Sequence, residues 1–103
     1  MRSDLETRFH HKMRGLYDRS VKECNYRPTY FLQMVVEHGG FETARRLLHA
    51  RKVSDGFTTL WENGRLNLSV EAVVLQEPWS DLFTDEELAI AEKRLRDLGQ
   101  ARE

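Results

Sequence analysis

Cysteine is almost absent from this chain of 103 residues, in which Cys24 stands alone. A single cysteine cannot form an internal disulfide, so the fold cannot depend on an oxidising compartment. Long apolar runs are missing too: the run at 72–75 covers only a few residues, whereas a membrane-spanning helix needs about 20. The first residues are acidic and polar, unlike the basic and then apolar start of a secretion signal. These features predict a cytoplasmic protein that does not contact a membrane.

The sequence also lacks the motifs of catalysis and of metal or nucleotide binding. His10 and His11 are adjacent and point about 100° apart on a helix, whereas two metal ligands on one face need a spacing of four. His38 and His49 fall on separate predicted helices. No glycine-rich loop precedes a lysine, and Cys24 ends an apolar stripe, where a buried small residue is expected. The sequence therefore predicts no enzyme, no cofactor and no metal.

The chain does contain helical periodicity, interrupted at close intervals by turn and cap residues. Apolar side chains recur every three or four positions from 3 to 24, which is typical of an amphipathic helix. Pro28 suits the first turn of a second helix, which Gly39 and Gly40 end. The other predicted helices cover 41–52, 54–63, 70–76 and 85–98, the last stopped by Gly99. We therefore expect an all-α fold: a compact single-domain bundle of five or six mostly short helices, with a long N-terminal helix over 1–25.

The start of the last helix carries the clearest local signal in the sequence. The hydroxyl of Thr84 can accept a hydrogen bond from the amide of Glu87, whose carboxylate can accept one from the amide of Thr84. Phe83 can pack against Leu88 across this turn. The three acidic residues at 85–87 lie where a helix N-terminus favours negative charge, so capping explains them without catalysis.

One stretch, residues 66–72, alternates between apolar and polar side chains as a strand does. Ser69 can instead cap a helix, with Leu68 and Val73 at the spacing of a hydrophobic staple. A single strand would find no partner for its backbone groups elsewhere in the chain. These arguments favour a helix over 70–76.

Charge is unevenly distributed, although the formal net charge is only −1. Residues 1–27 carry seven Lys or Arg and four Asp or Glu, whereas residues 66–103 carry four and nine. The helices at 41–52 and 54–63 have the lengths of a helix-turn-helix, yet the second would enter the DNA groove without any lysine or arginine. Nucleic-acid association, in regulation or mobile-element defence, is therefore the alternative hypothesis. Its candidate contacts are Arg8, Lys12, Arg19, Arg45, Arg46 and Lys52.

The aromatic residues favour a different function. Trp79 lies in a short connector, where a tryptophan either covers the core or anchors another chain. We expect Trp79 to be partly exposed and Trp61 to be mostly buried. The leading prediction is a non-enzymatic helical interaction module that binds a protein partner or self-associates, with Trp79, Phe83 and Trp61 as candidate contacts.

Several segments of the chain resemble a small bacterial module found in hypothetical proteins, alone or as a tail on larger proteins. The segments are YFLQM at 30–34, GGFETARRLL at 39–48, SDGFTTLWE at 54–62, GRLNLSVEAVVL at 64–75 and LFTDEEL at 82–88. The resemblance covers about residues 26–99 and implies no catalytic residue. The chain differs from the expected pattern at Asn67, where aspartate is usual, and at Trp79, where a smaller or different aromatic residue is usual.

Overall fold

The structure is a computed structural model that describes the backbone of residues 2–102 and the side chains of residues 4–98. Its α-helices are α1 (Arg2–Cys24), α2 (Thr29–His38), α3 (Gly40–His49), α4 (Asp55–Glu62), α5 (Val70–Val74) and α6 (Asp85–Arg102). Two 3-10 turns, Leu66–Leu68 and Trp79–Leu82, precede α5 and α6. Over the described backbone there is no strand, so the prediction of an all-α bundle is confirmed.

Three of the predicted helix starts are made by the expected side chains. The hydroxyl of Ser54 accepts a hydrogen bond from the amide of Phe57 at 3.1 Å, and that of Ser69 accepts one from the amide of Ala72 at 3.1 Å. The helical interpretation of the stretch after Ser69 is therefore confirmed. At α6 the amide of Thr84 donates to Glu87 at 2.9 Å, and the amide of Glu87 donates to the Thr84 hydroxyl at 3.1 Å.

The predicted helix ends are less accurate than the starts. The third helix ends at His49 rather than at 52, because Ala50 has an extended backbone with ψ of 150°. The helix α5 ends at Val74, two residues early. Gly99 does not stop α6, which continues to Arg102. A glycine inside a helix costs only about 1 kcal/mol relative to alanine, so it weakens a helix without ending it.

The core lies where α1 packs against α2 and α3, and where α6 packs against α3 and α5. Its fully buried side chains include Phe9 and Met13 of α1 and Ala44 and Leu48 of α3. Together with apolar residues of α5 and α6 they form one continuous cluster. The radius of gyration, 12.8 Å, is that of a compact chain of this length.

The junction of α2 and α3 depends on two consecutive glycines. Gly39 has φ of +84°, a conformation that glycine adopts at little cost. At Gly40 a Cβ atom would lie 2.7 Å from the Cα of His10, so α3 can approach α1 only with glycine there. The amide of Gly40 also donates to Nδ1 of His10 at 3.0 Å. Burial, with the neighbouring His11 and Arg14, lowers the pKa of His10, which keeps the ring neutral as an acceptor.

Two buried carboxylates take part in the contacts that hold α3 against α5 and α6. Glu71 of α5, only 3% exposed, accepts a hydrogen bond at 2.9 Å from Arg94 of α6. The Arg94 guanidinium also donates to three carbonyls at the end of α3, those of Leu47 (2.9 Å), Leu48 (3.3 Å) and Ala50 (2.8 Å). Burial raises the pKa of Glu71, although its own amide and Arg94 act in the opposite direction.

The second carboxylate, Glu87 of α6, is 2% exposed. Besides capping its own helix it contacts Nε of Arg45 at 3.0 Å and Nε2 of His49 at 2.8 Å, both on α3. Burial alone would raise the pKa of Glu87, but hydrogen bonds from Thr84, His49 and Arg45 outweigh it and lower the pKa to about 2. Glu87 therefore stays ionised and joins two helices that are distant in the sequence.

Candidate interaction site

Phe83 belongs to the core, so its prediction as a partner contact is wrong. The residue is 8% exposed. Its ring lies 5.5 Å from that of Phe9 and 5.5 Å from that of Phe41, between α1 and α3. The extended backbone at Phe83, just before α6, turns the ring inward onto these two aromatic neighbours.

Trp79 and Trp61 are both half-buried. The Trp79 ring lies 5.7 Å from the ring of Phe9, with the Arg8 guanidinium 5.8 Å from its centroid. It therefore covers the edge of the core, and its partial exposure agrees with the sequence prediction. Trp61 is partly exposed but mostly buried, as predicted, and its ring nitrogen has almost no exposed surface.

The predicted nucleic-acid contacts are largely engaged within the protein. Three of them are ion-paired: Arg19 with Glu23 (2.8 Å), Arg46 with Glu42 (3.3 Å) and Arg45 with Glu87 (3.0 Å). Arg8 lies over Trp79. Lys12 is half-buried on α1 and Lys52 is exposed beyond the end of α3. The carboxylates beside these arginines offset the positive charge that phosphate binding would need.

A different region of the molecule has the shape of a binding site. A cleft of about 510 Å³ lies between the first turns of α2, α4 and α5. Its apolar wall includes Tyr26, Tyr30, Phe31, Met34, Phe57 and Leu60, and we call it the α2–α4 cleft. Ligand sites usually measure about 300–1,000 Å³ and are lined mainly by apolar and aromatic side chains.

Local structure explains how the α2–α4 cleft forms. Asn25 has φ of +52°, a left-handed conformation that ends α1, and the chain then enters α2 through Pro28. Ser54 and Ser69 begin α4 and α5 on the opposite side. Each of these starts brings a first helical turn to the cleft, and apolar residues that follow in each helix are part of its lining.

Four polar side chains that line the cleft already have hydrogen-bond partners inside the protein. Ser54 and Ser69 cap helices, and Glu71 is held by Arg94. The Tyr26 hydroxyl bonds with Thr59; burial and the nearby Asp55 raise the pKa of Tyr26, so it stays protonated. With these groups engaged, the cleft offers mainly apolar contact, beside the charged Arg27 and Asp55 that also line it.

The helix α2 beside the cleft is poorly covered. Only Val35 among its residues is fully buried. Tyr30 is 74% exposed and Val36 is 62% exposed, and they are the exposed large hydrophobic residues of the described chain. Soluble proteins can expose single apolar side chains, but of these two residues Tyr30 also lines the apolar cleft.

Comparisons with known proteins found nothing similar: no protein-family model, no curated protein and no solved structure matches the chain. The resemblance to a small bacterial module thus stays a prediction. Within residues 4–98 no three His, Cys, Asp or Glu side chains are grouped to hold a metal ion. None of the described helices has the length and apolar character to span a membrane.

Sequence reasoning missed the α2–α4 cleft, because it forms from residues that are up to 55 positions apart. One feature of the sequence does point to this region. The segment YFLQMVV at 30–36 is apolar around most of the helix, whereas a surface helix with one buried face shows a single apolar stripe. Such a helix must be either buried on several sides or covered by something else.

Proposed function

We propose that this protein is a helical interaction module of a bacterial cytoplasm, without catalytic activity, and that it binds an apolar side chain of a protein partner in the α2–α4 cleft. This keeps the leading function predicted from the sequence and moves the contact surface from Phe83 and Trp79 to α2. The observation that carries the proposal is the apolar cleft whose mouth is formed by Tyr30, a residue that is 74% exposed.

The physical basis of such binding is apolar burial. An anchor side chain that enters a pocket of this kind gains about 25 cal/mol for each Å² of apolar surface that leaves water. Binding hot spots are commonly aromatic residues in desolvated pockets, and the walls here supply aromatic partners from Tyr26, Phe31 and Phe57. A protein segment with an aromatic or large aliphatic residue is the occupant that this chemistry favours.

Nucleic-acid association is the less favoured alternative. The candidate arginines at 19, 45 and 46 each face a carboxylate within 3.3 Å. The cleft itself presents Asp55 and Glu71 as well as Arg27, so it has no excess of positive charge. Retention of nucleic acid at low salt, lost steeply as salt is added, would support the alternative over the interaction module.

The proposal can be tested by selecting a phage-displayed library of random peptides against the immobilised protein. We expect enrichment of peptides with aromatic or large aliphatic residues. Their binding should weaken at least about tenfold in Tyr30→Ser, because hot-spot aromatic residues typically contribute 2 kcal/mol or more.

Val36→Ser is the matched control. Val36 lies on the same helix and is also exposed, but it does not line the cleft. Peptide binding should be unchanged in this variant. Failure to enrich any peptide, or equal binding to native protein and Tyr30→Ser, would contradict the proposal.

A further inference from the structure

The exposed side of α2 carries a stripe with a regular order of charge and apolarity. Tyr30, Met34 and Glu37 are spaced by four and three residues, so they lie on one face of the helix. Arg27 lies in the connector two residues before the helix, outside its helical spacing, and lines the cleft together with Tyr30 and Met34. We call these four residues the α2 stripe.

The α2 stripe has opposite charges at its two ends and apolar residues in the middle. When two such helices pack antiparallel about a two-fold axis near residue 32, position 30 lies opposite position 34. The connector before each helix, which carries Arg27, then lies beside the end of the other helix, which carries Glu37. Arg27 of each copy then meets Glu37 of the other, and Tyr30 of each copy meets Met34 of the other. A two-fold interface requires this kind of self-complementary surface.

We propose that the partner of the α2–α4 cleft is a second copy of this chain, docked through the α2 stripe in an antiparallel two-fold dimer. The inference rests on the proposed function, since it names the partner of that site. Tyr30 of one copy packs on Met34 of the other and covers the mouth of its cleft. The two Arg27–Glu37 pairs set the direction, because a parallel arrangement would place like charges together.

The size of the surface indicates a weak dimer. The helix α2 has 10 residues and is therefore about 15 Å long. Stable interfaces bury about 800 Å² on each partner, which is more than one short helix provides. The dimer should form in the micromolar range or above and should weaken as salt screens its two ion pairs.

Sedimentation equilibrium from about 1 μM to about 1 mM protein tests the proposal with charge-swapped variants. Glu37→Arg and Arg27→Glu should each weaken dimerisation at least about tenfold, because each places like charges opposite one another. The double variant that carries both substitutions restores opposite charges and should return to within about threefold of the native constant. Arg27 and Glu37 are both exposed, so neither substitution disturbs the core.

Asp97→Arg is the matched control, since it makes the same change of charge on an exposed part of α6. It should leave dimerisation unchanged. A native protein that stays monomeric over the whole range would overturn the inference, as would a double variant that dimerises no better than the single variants.

The peptide selection separates this inference from the proposed function. A monomeric protein whose selected peptides still depend on Tyr30 would overturn only the second copy as partner. A dimer that follows the charge-swap pattern, together with a Glu37→Arg monomer that enriches no peptide, would overturn docking in the cleft and leave the α2 stripe as the interface.

Discussion

The two sides of this small bundle differ in which groups they bury: one buries charged groups, and the other exposes apolar groups. Where α3 meets α5 and α6, charged groups are buried: Glu71 and Glu87 are 3% and 2% exposed and are bound by Arg94, Arg45 and His49. Around α2, large apolar residues are exposed, and Tyr30 is 74% accessible.

Each side departs from the usual rule of apolar inside and polar outside, but for a different reason. Buried carboxylates persist on the α3–α6 side because every one is paired, and an unpaired buried charge would be costly. Exposed apolar residues on the α2 side contribute little to folding, since they bury little surface. The first side therefore contributes to stability, and the second is the side that we propose for association.

The largest effect should follow from breaking the α3–α6 side at Arg94. Arg94→Met leaves Glu71 buried without its partner and removes three hydrogen bonds from the end of α3. We expect the free energy of unfolding to fall by about 3–5 kcal/mol in denaturant titrations. Arg96→Met, an exposed position on the same helix, should change it by less than about 0.5 kcal/mol. If Arg94→Met lowers the free energy of unfolding no more than Arg96→Met does, the Arg94 contacts do not contribute to stability.

Acid should weaken the same side through Glu87. The pKa of Glu87 is about 2 in the folded protein, against an ordinary value of 4.5, so the unfolded chain binds a proton more readily. The resulting stabilisation is fully present above pH 4.5 and is lost as the pH falls from 4.5 towards 2.

Denaturant titrations across this pH range test the role of Glu87. Glu87→Gln should be less stable at neutral pH and should lose less stability on acidification than the native protein. Glu86→Gln, at the exposed neighbouring position, should keep the native profile. A native profile in Glu87→Gln as well would assign the acid sensitivity to other groups.

Alanine substitutions at two glycines in regions of different packing should change the stability of the protein in opposite directions. At Gly40 a Cβ atom would collide with the backbone of His10 at 2.7 Å, and such overpacking typically costs about 1–3 kcal/mol. At Gly15, in the middle of α1, nothing beyond its chain neighbours and the nearby backbone of α1 lies within 4 Å of the added Cβ, so Gly15→Ala should stabilise by about 1 kcal/mol. Thermal unfolding of both variants is sufficient, and a loss of stability in Gly15→Ala would contradict this account of α1.

Removing one partner of the α6 capping box should have a moderate effect. Thr84→Ala removes the hydroxyl that accepts from the amide of Glu87 but leaves the Glu87 contacts to α3 in place. The expected loss is about 1 kcal/mol in the free energy of unfolding, as for other N-cap substitutions. An unchanged denaturation midpoint would mean that the capping hydrogen bond does not stabilise α6.

The parts of the fold that could be predicted are those set by neighbouring residues. Ser54, Ser69 and Thr84 each cap a helix through a hydrogen bond between residues three positions apart. This spacing can be read from the sequence. The long-range roles were not predictable in this way. Glu87 has the appearance of a simple capping residue, yet its second role depends on Arg45, 42 positions away.

The candidate site also depends on contacts between residues that are distant in the sequence. Phe83 was predicted as a candidate partner contact, but the packing of Phe9 and Phe41 against it places it in the core. The α2–α4 cleft required three helix starts to converge, and no local pattern contains that information. Only the apolar excess of α2 was visible in the sequence.

The central claim is that the α2 side serves association and the α3–α6 side serves stability. Tyr30→Ser tests it most directly when its free energy of unfolding and its dimer dissociation constant are measured on the same sample. We predict a change in unfolding free energy of less than about 0.5 kcal/mol, since the side chain is largely exposed, together with at least about tenfold weaker dimerisation. A loss of about 2 kcal/mol or more in stability, with dimerisation unchanged, would contradict the account.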